Sequence, residues 1–396
     1  KDAHHNCIRV WGGGFYPFDS FFDACDELGL IVWEDFMFAC AVYNLTEEFE
    51  ENIRAEFIDN IKRIRHHACL GLWCGNNEME MFVDQGGEWV NSPTQKSDYV
   101  KMYEYIIPKI LKEYDPQTFY WPASPSSGGA FDKPNDENFG DAHYWEVWHG
   151  NKPITEYRKF YFRYVSEFGF QSFPGLKTCE TFTEPEDRNV FSYVMEKHQR
   201  NSAANGKIMN YMEQTFLYPT SFETILYASQ LLQAEAMKFF MERVRSDRKY
   251  FSGIMLWNLL DGWPQMSTGM VDYYFKKKLS FEYVKRAQTP FVMFIGEQKN
   301  WSNPLIAAND TLDRKCGTYK VFDIESDEVL SQGEFEVQPN DTLIVEQIRL
   351  NTAKQSFLVI EWMVDGEKSY NHYLCGMPGF NFERYCDWLD RLDAIL

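Results

Sequence analysis

Over roughly its first 290 residues the chain alternates short apolar strands with stretches of helical periodicity, and that alternation restricts it to folds built on a parallel sheet. Strand-like segments fall at 7–11, 30–36, 70–74, 119–122, 141–145, 164–167 and 252–257. Between them the pattern predicts a helix over 18–28 closed by Gly29, and an amphipathic helix over 47–66 with Phe49, Ile53, Phe57, Ile61 and Ile64 on one stripe. A helix over 99–114 should kink at Pro108, and further helices are expected over 222–245 and 279–287. A closed (β/α)8 barrel needs eight strands. The count here is seven, and Lys1–Asn6 runs directly into the first of them with neither an initiator Met nor an apolar signal segment. The expected fold is therefore α/β, a (β/α)8 TIM barrel whose first strand lies outside this chain.

After Pro290 the texture changes. Segments at 291–295, 305–309, 318–324, 335–337, 343–350 and 357–364 are strand-like and separated by turn residues, and 380–392 is helical in pattern. This divides the chain into a barrel over 1–290, a small immunoglobulin-like β-sandwich over 291–378 and a helical tail over 379–396.

Charge and composition remove several function classes. Thirty-nine basic against 59 acidic residues give a net charge of −20, a surface that repels phosphate backbones and excludes a nucleic-acid partner. The longest apolar run, Phe36 to Tyr43, is far short of the roughly 20 residues of a membrane helix, so no membrane partner is expected. Nine cysteines with no CxxC pair read as free thiols of a reducing compartment, which favours the cytoplasm, although the start of the chain leaves secretory or lysosomal targeting open. Asn-x-Ser/Thr triplets at Asn44, Asn300, Asn309 and Asn340 carry little weight without a known compartment.

In barrel enzymes reactive groups sit at the C-terminal ends of the strands. Two carboxylates do so here: Glu78 after Leu-Trp-Cys-Gly-Asn-Asn, and Glu167 in Tyr-Val-Ser-Glu-Phe-Gly. A pair of carboxyl groups facing one cavity is what glycoside hydrolysis requires, one protonated to donate to the leaving oxygen and one ionised. An isolated Glu at a strand end is more often a solvated loop residue or salt-bridge partner; the flanking sequences change that weighting. Asp35 at another strand end could bind sugar or hold a loop. His66-His67 reads as a helix C-cap charge rather than a metal ligand, and neither a metal nor a cofactor is expected.

The segments Arg9-Val10-Trp11-Gly12-Gly13-Gly14, Trp33 to Ala41, Trp73-Cys74-Gly75-Asn76-Asn77-Glu78, Ser166 to Ser172, Trp257 to Pro264 and Val271 to Tyr274 together resemble glycoside hydrolase family 2, in its β-mannosidase and exo-β-glucosaminidase branch. The resemblance covers about residues 4–290 in order. It implies that Glu78, ending the fourth barrel strand when the absent one counts as first, is the acid/base, and that Glu167, ending the seventh, is the nucleophile. It implies that Asn77 binds the sugar 2-hydroxyl and that Arg9 hydrogen-bonds the nucleophile. Trp11 and Trp257 match sugar-subsite tryptophans, which gives part of the 17% aromatic content a use. His143 and Tyr144, ending the sixth strand, are further substrate-binding candidates, the Tyr as a partner of the nucleophile.

The expected activity is that of a retaining exo-β-glycosidase, a β-mannosidase, acting on an oligosaccharide or glycoside together with N-terminal domains of the same full-length protein. The alternatives are the same mechanism on another sugar (glucosaminide, galactoside or glucuronide), or a non-catalytic carbohydrate-binding or inactive fragment.

Overall fold

The computed structural model describes residues 1–86, 90 and 92–395. The chain forms two compact units. One comprises Lys1–Tyr144, Tyr161–Phe168 and Tyr250–Met255; the other comprises Trp145–Phe160, Gly169–Lys249 and Leu256–Leu396.

In the first unit all seven expected strands are present and pair in parallel. β1 (Cys7–Val10), β2 (Ile31–Asp35), β3 (Leu70–Cys74) and β4 (Phe119–Trp121) form one sheet in that order. β5 (Ala142–Tyr144), β6 (Tyr164–Phe168) and β7 (Gly253–Ile254) form a second. β7 keeps two of the six residues expected of it, and the backbone N–H of Met255 adds one more bond to Val165.

Side chains alternate across each strand, and on β2 this separates two neighbouring acids. Val32 and Glu34 share one face, Trp33 and Asp35 the other. The cluster that includes Val32 also holds Phe22, Phe57, Ile61 and Trp73 and is built with helices α1 (Asp19–Leu28) and α2 (Glu47–Ile64). α1 ends as expected, Gly29 adopting a left-handed backbone (φ 62°) whose N–H returns to Cys25 and Asp26. α2 is started by the Thr46 hydroxyl, which accepts from Phe49 N–H, with Glu47, Glu48 and Glu50 in the first turn and Lys62 and Arg63 in the last, all matched to the helix dipole. Phe57 and Ile61 are fully buried, each stabilising by about 2 kcal/mol. Glu34 is buried in the same unit with no hydrogen-bond partner for either oxygen among the described residues. Burial, helped by the Asp35 charge and opposed by Arg63, pushes its carboxyl up to about 9.

The stretch around Pro108 runs as helix throughout. A π-helical segment, Val100–Ile106, hands over to α-helix at Ile107, so Pro108 falls in the first turn of the new segment, where a missing N–H costs nothing. The expectation for His67 is corrected. Arg65 caps α2, while the His67 imidazole is buried, 2.7 Å from Asp26 and stacked on Phe22. Asp26 also accepts from the backbone N–H of Cys69, so this group ties α1 to the start of β3.

The second unit contains the helices Phe222–Arg245 and Leu279–Ala287, as the pattern predicts, and an antiparallel pair of sheets. β8 (Phe291–Ile295), β9 (Asn303–Asn309) and β12 (Asp341–Ile348) make one; β10 (Lys315–Asp323), β11 (Val329–Val337), β13 (Ser356–Val364) and β14 (Glu367–Cys375) make the other. β14 is an addition to the six expected strands, hidden by its charged start, and β11 is longer than expected. Val292, Phe294, Leu305, Val321, Ile360 and Trp362 share the sandwich-like core. The final helix, Phe382–Ile395, buries Tyr385 and Trp388.

This unit also buries an ionic network. Glu235 accepts from His372 Nε2 at 2.6 Å and from the Tyr385 hydroxyl at 2.5 Å. Lys238 lies 3.2 Å from Glu242, which accepts from the Asn371 amide at 2.7 Å. None of the described helices is long and apolar enough to cross a membrane. The nine cysteines are free, and Cys316 alone is exposed.

Candidate active site

The polar face of the first unit gathers residues from the ends of five strands. Arg9, on the same face of β1 as Cys7, is the hub. Its guanidinium donates to Asp35 through Nε (3.2 Å) and Nη2 (2.8 Å), to Asn77 Oδ1 through Nη2 (2.8 Å) and to Glu167 Oε1 through Nη1 (2.7 Å). Burial disfavours its charge, but Asp35 and Glu167 outweigh that and hold it cationic. Asp35 is itself fixed by the Trp33 indole (2.9 Å) and the backbone N–H of Gly12 (3.0 Å). Position 12 must be Gly: a Cβ there would lie 2.5 Å from the Phe38 carbonyl oxygen. Asp35 thus holds Arg9 in place.

Glu78 follows β3 on a backbone that is pinned on both sides. Asn77 N–H donates to Phe38 O and Glu78 N–H to Ser124 O, while the Asn76 side chain caps the next helix through Met79 N–H. Glu78 itself takes a left-handed conformation (φ 61°), which costs a non-glycine residue about 1 kcal/mol. Its two carboxylate oxygens are separately engaged. Oε1 lies 2.9 Å from His143 Nδ1, and Oε2 accepts from the Cys40 thiol at 3.5 Å. Cys40 Sγ in turn accepts from the Asn77 amide at 3.3 Å. Burial and the Glu78 charge push the Cys40 thiol up to about 12, so it is a neutral donor rather than a nucleophile.

Glu167 lies in β6 opposite His143 of β5, and its Oε2 is 3.4 Å from the same Nδ1. An oxygen of Glu78, an oxygen of Glu167 and a ring nitrogen of His143 lie within 4.8 Å of one another. Burial raises both carboxyls. At Glu78 the His143 and Cys40 bonds outweigh it and the carboxyl falls below its ordinary value. At Glu167 the pull of His143 and Arg9 does not fully offset burial and the Glu78 charge, and the carboxyl stays raised. Two carboxyls this close titrate as a pair.

Of the residues expected at the site, Arg9, Asn77, Glu78, His143 and Glu167 are brought together. Tyr144 is not among them and is a correction. It pairs with Phe168, so strand alternation sends its ring to the face opposite His143, buried against Phe162. The Trp11 indole lies over Gly13, whose Cβ would fall 2.0 Å from the ring. Trp257 belongs to the second unit. Asp35 and Cys40 are the participants that sequence reasoning set aside or passed over. The signal for Asp35 was its alternation register, two residues after Trp33 and on the Arg9 side of the sheet. Cys40 gave none, since it becomes a neighbour of Glu78 only through the bridge between Ala39 and Asn77.

No protein-family model matches the chain. Among curated proteins it is 37% identical over 311 residues to β-mannosidase B of Aspergillus fumigatus, covering 74% of the chain and 36% of that protein. It is 38% identical, over the same shares, to β-mannosidase B of Aspergillus terreus. The chain thus spans about a third of the length of the curated relatives it matches. Among solved structures it superposes on a β-D-mannosidase from Dictyoglomus thermophilum with a TM-score of 0.88 at 31% identity, covering 96% of the chain and 47% of that protein. An exo-chitosanase from Amycolatopsis orientalis shares the fold alone, with a TM-score of 0.71 at 14% identity over 94% of the chain and 45% of that protein. Sequence and fold together place the chain in glycoside hydrolase family 2, in the part of it that holds these β-mannosidases.

Proposed function

We propose that this chain is the catalytic part of a retaining exo-β-glycosidase that removes terminal, non-reducing β-D-mannosyl residues. The observation that carries the mechanism is the spacing of the two carboxyl groups. Retaining enzymes hold them about 5–5.5 Å apart and inverting enzymes about 6.5–9.5 Å apart; oxygens of Glu78 and Glu167 within 4.8 Å fit the first class. The named relatives supply the sugar.

In this reading Glu167 attacks the anomeric carbon while Glu78 protonates the leaving oxygen. Arg9, 2.7 Å from Glu167 Oε1, keeps the attacking group anionic. Water activated by Glu78 then displaces Glu167 with overall retention. Asn77, its Oδ1 fixed by Arg9, presents its amide to the sugar 2-hydroxyl, where contacts strengthen in the transition state. His143 lines the site beside both carboxylates and Trp11 walls it, while the sugar-subsite role of Trp257 rests on the family resemblance alone. The two parallel sheets are arcs of one (β/α)8 barrel over 1–290, followed by the immunoglobulin-like sandwich over 291–378 and the tail over 379–396. N-terminal domains of the full-length protein complete the sugar pocket.

The test is a panel of nitrophenyl β-glycosides with the full-length protein. Mannoside should be turned over first among them, with retention. Glu167→Ala should abolish turnover, and azide should restore it with an inverted glycosyl azide. No turnover of any glycoside would sink the enzyme reading, and a different preferred sugar would move the chain within its family.

A further inference from the structure

The retaining mechanism needs its proton on Glu78, yet Glu78 is the carboxyl whose affinity for it is lowered and Glu167 the one whose affinity is raised. The hydrogen bonds behind His143 resolve this. Asp141 accepts four donors: Trp121 Nε1 (2.8 Å) and Ser126 N–H (3.1 Å) on Oδ1, and the hydroxyls of Ser124 (2.7 Å) and Ser166 (2.5 Å) on Oδ2. Ser124 has a single hydrogen, and its contact with the Asp141 carboxylate (2.7 Å), shorter than those with His143 (3.0 Å) and Ser166 (3.3 Å), assigns that hydrogen to Asp141. The Ser124 oxygen lies 3.0 Å from His143 Nε2, so that nitrogen must be the donor. With Nε2–H fixed, Nδ1 faces carboxylate oxygens of Glu78 at 2.9 Å and Glu167 at 3.4 Å. A lone pair there against two bare carboxylates would be repulsive, so one proton lies on the line between Nδ1 and Glu78 Oε1.

We propose that Asp141 and Ser124 are positioning residues that lock the His143 tautomer, and that His143 stores the proton which Glu78 delivers in catalysis. The proposal rests on the assignment of Glu78 as acid/base made above. In the open site that proton is held between Nδ1 and the Glu78 carboxylate, 2.9 Å apart. When a sugar excludes water, a neutral imidazole beside a neutral acid is favoured over the ion pair, and the proton moves to Glu78. Glu78 gives it to the glycosidic oxygen, which keeps the electron pair of the breaking C–O bond, while Glu167 forms its bond to the anomeric carbon. In the second step Glu78 takes a proton from the attacking water, the Glu167–carbon bond breaks with its electrons returning to the carboxylate, and the proton passes back to Nδ1. The charged and titratable groups facing this line are Glu78, with the Cys40 thiol on its other oxygen, Glu167 and, through Ser124, Asp141; Arg9, Asp35 and the buried Cys74 thiol stand behind them.

The experiment compares pH profiles of kcat/KM for the full-length wild type, Ser124→Ala and Ser124→Thr on two aryl β-mannosides, one with a good and one with a poor leaving group. Losing Ser124 cuts His143 off from the Asp141 charge, so the stored proton should leave at lower pH. The high-pH limb should move down by about one pH unit, the poor substrate should lose about tenfold more than the good one, and Thr should restore both. An unmoved limb with equal losses on both substrates would overturn the proposal. A second readout needs no variant of Ser124: nitrogen-15 spectra of histidine-labelled wild type, with His143 identified by its loss in His143→Gln. Nε2 protonated throughout the active pH range supports the lock, and a bare Nε2 overturns it. Should the wild type hydrolyse no glycoside at all, the enzyme reading fails, and the spectrum still decides the tautomer.

Discussion

Two regions of the molecule bury acids, and they settle them differently. In the second unit Glu235 has His372 and Tyr385, and Glu242 has Lys238 and Asn371. Burial works against the Glu235 charge, but these partners, His372 foremost, hold its carboxyl down at about 2; burial in turn drives the His372 imidazole down to about 4. Each acid there has its own donors. In the first unit three carboxylates, Asp35, Glu78 and Glu167, face a single guanidinium, and the balance is made by a proton that two groups share. A network that closes its own charges stabilises a fold. One that leaves a charge to be settled by a mobile proton can do chemistry when a ligand arrives.

The contrast can be broken or sharpened. The largest effect is expected for Glu78→Ala, which should cost about 10²–10⁴-fold in kcat/KM on a mannoside with a poor leaving group and far less on an activated one; steady-state kinetics on the two substrates check it. Glu235→Ala should do the opposite. Leaving its buried partners unpaired should cost about 3 kcal/mol of stability in a denaturant titration while kcat/KM holds. A large loss of turnover in that variant at full stability would break the comparison.

Glu34 is a third case, a buried acid with no hydrogen-bond partner among the described residues. Its carboxyl is raised to about 9 from 4.5, so between those values the folded state keeps a proton that the unfolded chain has lost. The native state is therefore penalised increasingly as pH rises through that window. Glu34→Gln should lift the melting temperature at pH 8 and change it little at pH 4, as thermal scans at the two values would show. Smallest is Cys40→Ala. Removing one weak thiol donor from Glu78 should lower kcat/KM a few-fold, in line with about 1 kcal/mol for a single hydrogen bond, with Cys40→Ser recovering most of it.

Periodicity made the strands and the long helices legible because each of them buries a stripe: 222–245 and 279–287 were readable to the residue, and so was the Gly29 stop. β14 was not, since a strand that begins Glu-Lys-Ser and pairs only with β13 shows little alternation. The kink at Pro108 was expected from a local rule that a π-helical turn satisfies by other means. At the site, Glu78, Glu167, Asn77 and Arg9 could be read because each lies in or just after a strand, within a distinctive motif. His143 and Tyr144 were readable only as a pair, because choosing between adjacent residues needs the register against Glu167. Ser124 read as a loop residue and Asp141 as the first residue of a strand, since their roles exist only through contacts with His143 and with each other.

The backbone at Glu78 has a consequence for anyone who selects this protein for heat resistance. Its left-handed φ of 61° is a conformation that glycine adopts freely and glutamate does not. Random mutagenesis scored on survival at high temperature alone would favour Gly or Asn at position 78 and enrich robust but silent proteins. Screens of this scaffold therefore need turnover in the selection from the first round, because the residue proposed as the acid/base sits on a backbone that suits glycine better.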